Sequence, residues 1–180
     1  MKYYKLMKFR SEDFDEYIFC DSYDLYDIER YDVKKGKKIE NWSDSNTLIY
    51  NPLKGTIPTD YLENVLGWFV VSTKLKSIIE ELDAGTVQFL PINIKSSDGN
   101  KELKGYYVAN VLQVVDAVNW DLSDYRERRL KKRNITMRSI RKYVLNSNRI
   151  KNDHIFKIPD EITPIFLSEI FKNTLIENNI

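Results

Sequence analysis

The sequence reads VVSTKLKSIIEEL from residue 70 to residue 82, and this stretch decides the fold class. Residues 68–71 are apolar, which is typical of a buried strand. Ser72 is a predicted helix N-cap, because its hydroxyl can accept a hydrogen bond from an amide one turn later. Apolar side chains then recur at positions 75, 78, 79 and 82, the spacing of one helical face. Gly85 predicts the end of this helix, and residues 86–94 predict a strand in which Pro91 marks a sheet edge or a bulge.

A weaker copy of this unit occurs near the end of the chain. The residues FLS at 166–168 precede apolar positions at Ile170, Phe171 and Leu175, and the same offset places Ser168 where Ser72 stands in the first copy. Strands combined with helices of this kind predict an α+β fold. We expect a mixed, mainly antiparallel sheet with a few amphipathic helices, including a repeated strand–Ser-capped helix unit.

The two parts of the chain differ in their patterns. Residues 1–58 contain short strand-like runs with many acidic and aromatic side chains, whereas residues 59–180 contain the clearer strand and helix signals. We predict an amino-terminal subdomain over residues 1–58 and an α+β core over residues 59–180, with one domain over residues 1–180 as the alternative. The longest strand signal covers residues 105–118 and is apolar on both faces, so this strand should lie in the middle of a sheet. Shorter strands are expected over residues 3–9, 17–20, 47–50, 140–145 and 155–158.

Composition excludes several classes of protein. Hydrophobic residues make up 42% of the chain and charged residues 31%, which is ordinary for a globular protein, and the formal net charge of +1 selects no class of partner. The single cysteine excludes an internal disulfide and fits a reducing compartment. No apolar run approaches the roughly 20 residues that a membrane span requires, and the start lacks a signal-peptide pattern. We therefore predict a cytoplasmic protein.

Candidate catalytic groups are few. Cys20 lies in an apolar run, where a buried hydrophobic role is the simpler interpretation, and the sole histidine, His154, precedes an apolar strand. One cysteine and one histidine cannot form a zinc site of known spacing, and there is no glycine-rich phosphate loop. The sequence thus predicts no catalytic residue, no metal and no cofactor, and a protein that is not an enzyme. An enzyme that uses Cys20 or His154 stays an open alternative.

Basic residues are concentrated over residues 126–142, where Glu127 is the only acid. Phosphates attract such a segment, and the nearby aromatic rings of Trp120 and Tyr125 are suited to stacking on bases. A solvated, charged loop or helix explains the same composition and is the first interpretation. A nucleic-acid-binding module that uses residues 126–142 is the alternative function.

Residues 11–32, here called the acidic-aromatic segment, have the opposite charge, with Arg30 as the only base. Tyrosine is common where proteins bind proteins, and surrounding acids speed the encounter with a basic partner. A half-buried hairpin with an ordinary solvated face also explains the pattern. The residues predicted to bind a protein partner are Tyr17, Asp21, Tyr23, Asp24, Tyr26 and Asp27.

Three sequence blocks carry a resemblance to a known family. They are VVS at 70–72 with VQFLPI at 87–92, YYVANVL at 106–112 with VDA at 115–117, and HIFK at 154–157 with FLSE at 166–169. In order and spacing they resemble the immunity proteins of bacterial polymorphic toxin systems, of the eleventh class, over residues 60–178.

The resemblance implies a cytoplasmic antidote that binds a cognate bacterial toxin domain and neutralises it by occlusion. The shared blocks are apolar and are interpreted as fold determinants, so the toxin-facing surface is expected outside them, in the acidic-aromatic segment. Members often continue into another strand after the last helix, so a terminal strand is expected to be missing after Ile180 or supplied differently.

Overall fold

The computed structural model describes residues 1–7, 16–83, 85–130, 135–159 and 163–180. Within these residues the fold is α+β, with two α-helices and three mostly antiparallel sheets, as the sequence predicts in outline. The expected strand over residues 3–9 and the acids before Glu16 fall partly or wholly outside the described residues.

The largest sheet has eight strands in the order β6-β9-β5-β4-β2-β3-β7-β8. Two neighbouring pairs, β2 with β4 and β3 with β7, are parallel, and the other pairs are antiparallel. The strands are β2 (Phe19–Asp24), β3 (Thr47–Tyr50), β4 (Tyr61–Asn64), β5 (Val70–Ser72), β6 (Val87–Pro91), β7 (Asn93–Ser96), β8 (Glu102–Leu103) and β9 (Tyr106–Val111). Strands from residues 1–58 and from residues 59–180 share this sheet.

The sheet bends back on itself at Ile92. Strand β6 stands at one end of the order and β7 next to the other, yet only Ile92 separates them along the chain. The predicted single strand over residues 86–94 is therefore wrong, because the chain turns a corner at Ile92, whose amide donates to the carbonyl of Tyr106. Trp68 and Leu48 are among the side chains buried inside this barrel-like sheet.

Two helices cover part of the outer surface of the sheet. Helix α1 (Thr73–Leu82) is capped by Ser72, whose Oγ accepts a hydrogen bond from the amide of Leu75 at 3.2 Å. Helix α2 (Glu169–Glu177) is capped by Ser168, whose Oγ accepts from the amide of Phe171 at 3.1 Å. Both helices bury apolar side chains in a second core cluster on the outer face of β5 and β9.

A third core cluster joins the rest of the chain to this body. A three-stranded antiparallel sheet orders β1 (Tyr3–Lys5), β13 (Phe166–Ser168) and β12 (Ile155–Phe156), with β13 in the middle. The hairpin of β10 (Asp124–Leu130) and β11 (Ile135–Lys142) forms the third sheet. Phe156, Phe166 and Ile140 from these strands pack together in the cluster.

The longest predicted strand is shorter than expected. Strand β9 has neighbours on both sides, as predicted, but it ends at Val111. Residues 112–118 form only isolated bridges, Val114 with Lys157 and Val118 with Leu145. Val115 and Val118 are buried in the third cluster, so their apolar character reflects packing and not a continuous strand.

Candidate functional site

Three of the six predicted binding residues lie on strand β2, and the pairing of this strand determines which face of the sheet each of them is on. Cys20 faces the barrel core, and a bulge at Asp21 then breaks the alternation of the strand. Beyond the bulge, Tyr23 stands opposite buried Leu48, while Asp24 belongs to the outer face, because directly opposed residues share one side of a sheet. The predicted residues therefore do not form a single row on one face.

The structure divides the six predicted residues into two groups. Tyr17 and Asp21 lie near the start of β2, where Tyr17 forms a bridge with Ile57 and the Asp21 carboxylate lies 3.2 Å from Nζ of Lys54. The second group, at and beyond the other end of β2, is Tyr23, Asp24, Tyr26 and Asp27. Six residues of extended chain separate Tyr17 from Tyr23, which corresponds to roughly 20 Å.

The second group is open to solvent. Tyr23 is 38% exposed and Tyr26 is 51% exposed, and the side chains of Asp24 and Asp27 are exposed as well. Within the part of the chain that the structure describes, neither Asp24 nor Asp27 forms an ion pair, whereas Asp21 does. Two carboxylates and two phenol rings in this group are thus available to another molecule.

A surface cleft of about 340 Å³ adjoins the second group and contains basic residues that the sequence analysis did not select. The hydrogen bond from Lys35 to Asp32, at 2.6 Å, and one from the backbone of Glu29 lower the pKa of the Asp32 carboxyl. Cations therefore lie directly beside the predicted acidic surface. The cleft is lined by Asp27, Ile28, Asp32, Lys35, Lys37, Lys38, Ile39 and Asn41.

Core side chains hold the loop that forms this cleft. Trp68 Nε1 donates to the carbonyl of Arg30 at 2.8 Å, and Asn110 Nδ2 donates to the carbonyl of Lys37 at 2.8 Å. The amide group of Gln88 makes two bonds to the backbone of Ile39, at 2.9 and 2.8 Å. The loop over residues 29–39 is consequently bonded to the body through its own backbone, and the buried side chain of Val33 packs it into the first core cluster as well.

Buried Lys157 makes a further attachment to the same loop. Its Nζ donates to the carbonyls of Val33 and Lys34 at 3.2 and 3.3 Å, at the end of the 3-10 helix Asp32–Lys34. Burial, with a smaller contribution from the charge of Lys34, lowers the pKa of Lys157 to about 8. Sequence spacing gives no sign of this contact, since more than 120 residues separate its partners.

The surroundings of the two candidate catalytic residues, Cys20 and His154, are typical of structural roles. Cys20 is fully buried, and burial, with a smaller contribution from Asp21, raises the pKa of its thiol to about 12. His154 adjoins the three-stranded sheet, with Nδ1 at 2.8 Å from the Oγ of Ser168, the residue that caps α2. The described contacts do not join Cys20 to His154, so they do not assemble the nucleophile–base pair of the enzyme alternative.

The basic segment is a hairpin, and the prediction of a loop or helix there is wrong. Ile140 of β11 lies opposite Tyr125 of β10, and both side chains pack in the third cluster, whereas Arg138 lies opposite Glu127. The Arg138 guanidinium stacks on Trp120 at 4.5 Å and donates to Glu127 at 2.8 Å, while Tyr125 meets the same ring edge-on at 5.0 Å. The two rings proposed for base stacking thus contact each other and Arg138. The bases at positions 131–133 fall outside the described residues.

Over the described ranges, no three histidine, cysteine or acidic side chains are grouped so that they could hold a metal ion. Neither α1 nor α2, the α-helices of those ranges, has the length and apolar character needed to cross a membrane.

Comparison with known proteins identifies a family. The profile of the Immunity protein family (Imm11) matches residues 9–180, and no curated protein matches the chain. The resemblance over residues 60–178 is therefore confirmed and extends further toward the amino terminus, so the whole acidic-aromatic segment lies inside the matched range. Because the match covers nearly the whole sequence of 180 residues, the chain belongs to the immunity protein family Imm11.

Proposed function

We propose that this protein protects against a cognate bacterial toxin domain by binding it and covering its working surface, with no chemical step of its own. Family membership supports the toxin as the kind of partner. The observation that carries the site is the second group on β2 and its following loop, where exposed Tyr23 and Tyr26 stand beside the unpaired carboxylates of Asp24 and Asp27.

Neutralisation requires tight binding of the toxin domain and a fast encounter with it. A neutralising complex with a Kd of about 1 nM requires about −12 kcal/mol of binding free energy. Tyrosine rings supply large contact areas with few rotatable bonds, and exposed carboxylates accelerate the encounter with a basic surface. A standard interface of about 800 Å² per partner is roughly 30 Å across, so one toxin domain can contact both ends of β2.

The protonation and burial of Cys20 and the contact made by His154 support occlusion without catalysis. A thiol with a pKa of about 12 is protonated at neutral pH, and Cys20 is also closed to solvent. His154 contacts the serine that caps α2, which is a structural use of its ring. In this proposal the two strand–serine–helix units belong to the scaffold, and the protein acts in the cytoplasm.

The test reverses the unpaired charge of Asp24 and removes that of Asp27. Asp27 has a φ of +61°, a left-handed conformation that asparagine tolerates, so the variant combines Asp24→Lys with Asp27→Asn. The probe is the toxin domain encoded by the gene next to this one. We expect the association rate to fall about tenfold at low salt, with a smaller difference at high salt because screening weakens electrostatic attraction.

The matched control is Glu81→Gln, which removes an exposed carboxylate from α1, away from β2. Its association rate should equal that of the wild type. Equal rates for the double variant and the wild type would show that this surface is the wrong one. A wild-type protein that fails to bind the toxin domain at micromolar concentration would refute the proposed function itself.

A further inference from the structure

An exposed apolar patch lies at the start of β2, around the turn that follows β3. Leu53 in this turn is 93% exposed, and Tyr17 and Ile57 are 40% and 42% exposed. Tyr17 and Ile57 are neighbours through their bridge, and the ion pair between Lys54 and Asp21 holds the turn against the same strand. Single exposed leucines are ordinary on protein surfaces, whereas here two further large apolar side chains are exposed on segments that are bonded to the same strand.

The turn presents Leu53 in a prearranged position. Asn51 accepts two backbone hydrogen bonds, from the amide of Leu53 to its side-chain oxygen at 2.9 Å and from the amide of Lys54 to its carbonyl at 3.0 Å. Pro52 restricts its own φ, which removes freedom at the first position of the turn. Because the loop is already ordered, binding through Leu53 loses little conformational entropy.

The next segment is bonded to the start of β2 as well. The amides of Thr56 and Ile57 both donate to the carbonyl of Glu16, at 2.8 and 2.9 Å. This bonding places the Glu16 backbone beside the patch, and the side chain of Glu16 is exposed. In the described part of the chain Glu16 has no ion-pair partner, whereas Asp21 is paired with Lys54. The rim of the patch therefore carries an unneutralised negative charge.

We infer that the turn at residues 51–54 is a second anchor for the toxin domain, in which Leu53 enters an apolar pocket with basic groups at its rim. This inference rests on the proposed function and adds a specific contact to it. The negative rim selects a basic partner surface by charge complementarity. Tyr17 and Ile57 would surround the inserted leucine and exclude water from it, the arrangement in which a single residue contributes most to an interface.

The experiment compares Leu53→Ala with a control at another exposed leucine. Leu122→Ala removes the same atoms from a leucine that is 64% exposed and lies between β9 and β10. Both variants should melt at the wild-type temperature, because neither side chain is part of the core. Binding to the toxin domain encoded by the neighbouring gene is measured by surface plasmon resonance, and oligomeric state by size-exclusion chromatography.

We expect Leu53→Ala to raise the Kd roughly 30-fold, mainly through faster dissociation, and Leu122→Ala to leave it unchanged. If the wild type binds the toxin domain and Leu53→Ala binds it equally well, the inference is overturned while the proposed function stands. Unchanged toxin binding together with a shift from dimer to monomer would assign the patch to a second copy of this chain and also overturn it. A wild type that does not bind the domain refutes the proposed function, and this anchor with it.

Discussion

Replacing Lys157 by methionine tests whether a buried ammonium holds the cleft loop. The Lys157 side chain is 4% exposed, and its Nζ donates to the carbonyls of Val33 and Lys34. Burial and the nearby charge of Lys34 lower its pKa from the ordinary 10.5 to about 8. Methionine keeps the length of the side chain and removes both the charge and the titration.

The sign of the pH dependence follows from proton binding. In the unfolded chain Lys157 keeps its proton up to its ordinary pKa, whereas the folded protein loses that proton near pH 8. Between these values the unfolded state binds more protons, so the free energy of unfolding rises with pH. For a pKa of about 8 this contribution grows by about 1 kcal/mol from pH 7 to pH 9.

Cys20 has the opposite effect on the free energy of unfolding near pH 9. Its pKa rises from 9.0 to about 12 on folding, so the stability that it contributes begins to fall near pH 9, by a few tenths of a kcal/mol at that pH. The thiol is present in both proteins, so its effect cancels when the variant is subtracted from the wild type. The difference between the two proteins then isolates Lys157.

The assay is urea unfolding of the wild type, Lys157→Met and the exposed-lysine control Lys101→Met at pH 7, 8 and 9. The free-energy difference between wild type and Lys157→Met should change by about 1 kcal/mol across this range in favour of the wild type, because only the wild type releases the proton. The control should follow the wild type at every pH. A difference for Lys157→Met that is constant from pH 7 to pH 9 would refute the reasoning.

Two further substitutions test how the barrel and its loop are built. Gly36→Ala should destabilise the protein by about 1–3 kcal/mol in urea unfolding, because Gly36 has a φ of +65° and a Cβ there would overlap Cγ2 of Val114; a loss under half a kcal/mol would contradict this. Asn64→Ala should cost about 2–4 kcal/mol, because the buried Asn64 side chain donates to the carbonyls of Leu62 and Trp68 and accepts from the amide of Trp68. Asn100→Ala, in an exposed turn, is its control, and equal losses in the two variants would show that burial is not the cause.

Local signals predicted the elements that depend on local contacts. The spacing after Ser72 and the stop at Gly85 correspond to a helix that begins at Thr73 and ends at Leu82. Strand β3 has the predicted bounds, because the turn signals on its two sides are close in sequence. These elements are decided by residues within one or two turns of each other, which is why one sequence is sufficient to place them.

Elements that depend on distant partners were predicted less well. Residues 112–118 look like a strand because they are apolar, yet what buries them is a cluster that includes Phe156 and Phe166. The corner at Ile92 exists because β6 pairs with β9 while β7 pairs with β3, and Pro91 beside it predicted an edge or a bulge but not the change of partner.

The candidate site shows the same limit. The bulge at Asp21 decides which side chains of β2 face outward, and it is set by the register with β3. The composition of the acidic-aromatic segment therefore did not predict that the six selected residues divide into two groups. Leu53 was also missed, although Asn51 and Pro52 mark the turn that exposes it.

The pairing of β1 with β13 has a consequence for how quickly the protein becomes complete. Tyr3 lies opposite Ser168, so the three-stranded sheet needs residues from near both ends of the sequence. A ribosome adds about 5–20 residues per second, so β1 waits roughly ten to thirty seconds for its partner to be synthesised. During that interval Tyr3 and Tyr4 have no strand to pair with, and α2, whose cap follows directly from β13, does not yet exist. A cell that begins to make toxin and antidote together would therefore hold incomplete antidote chains for at least this time.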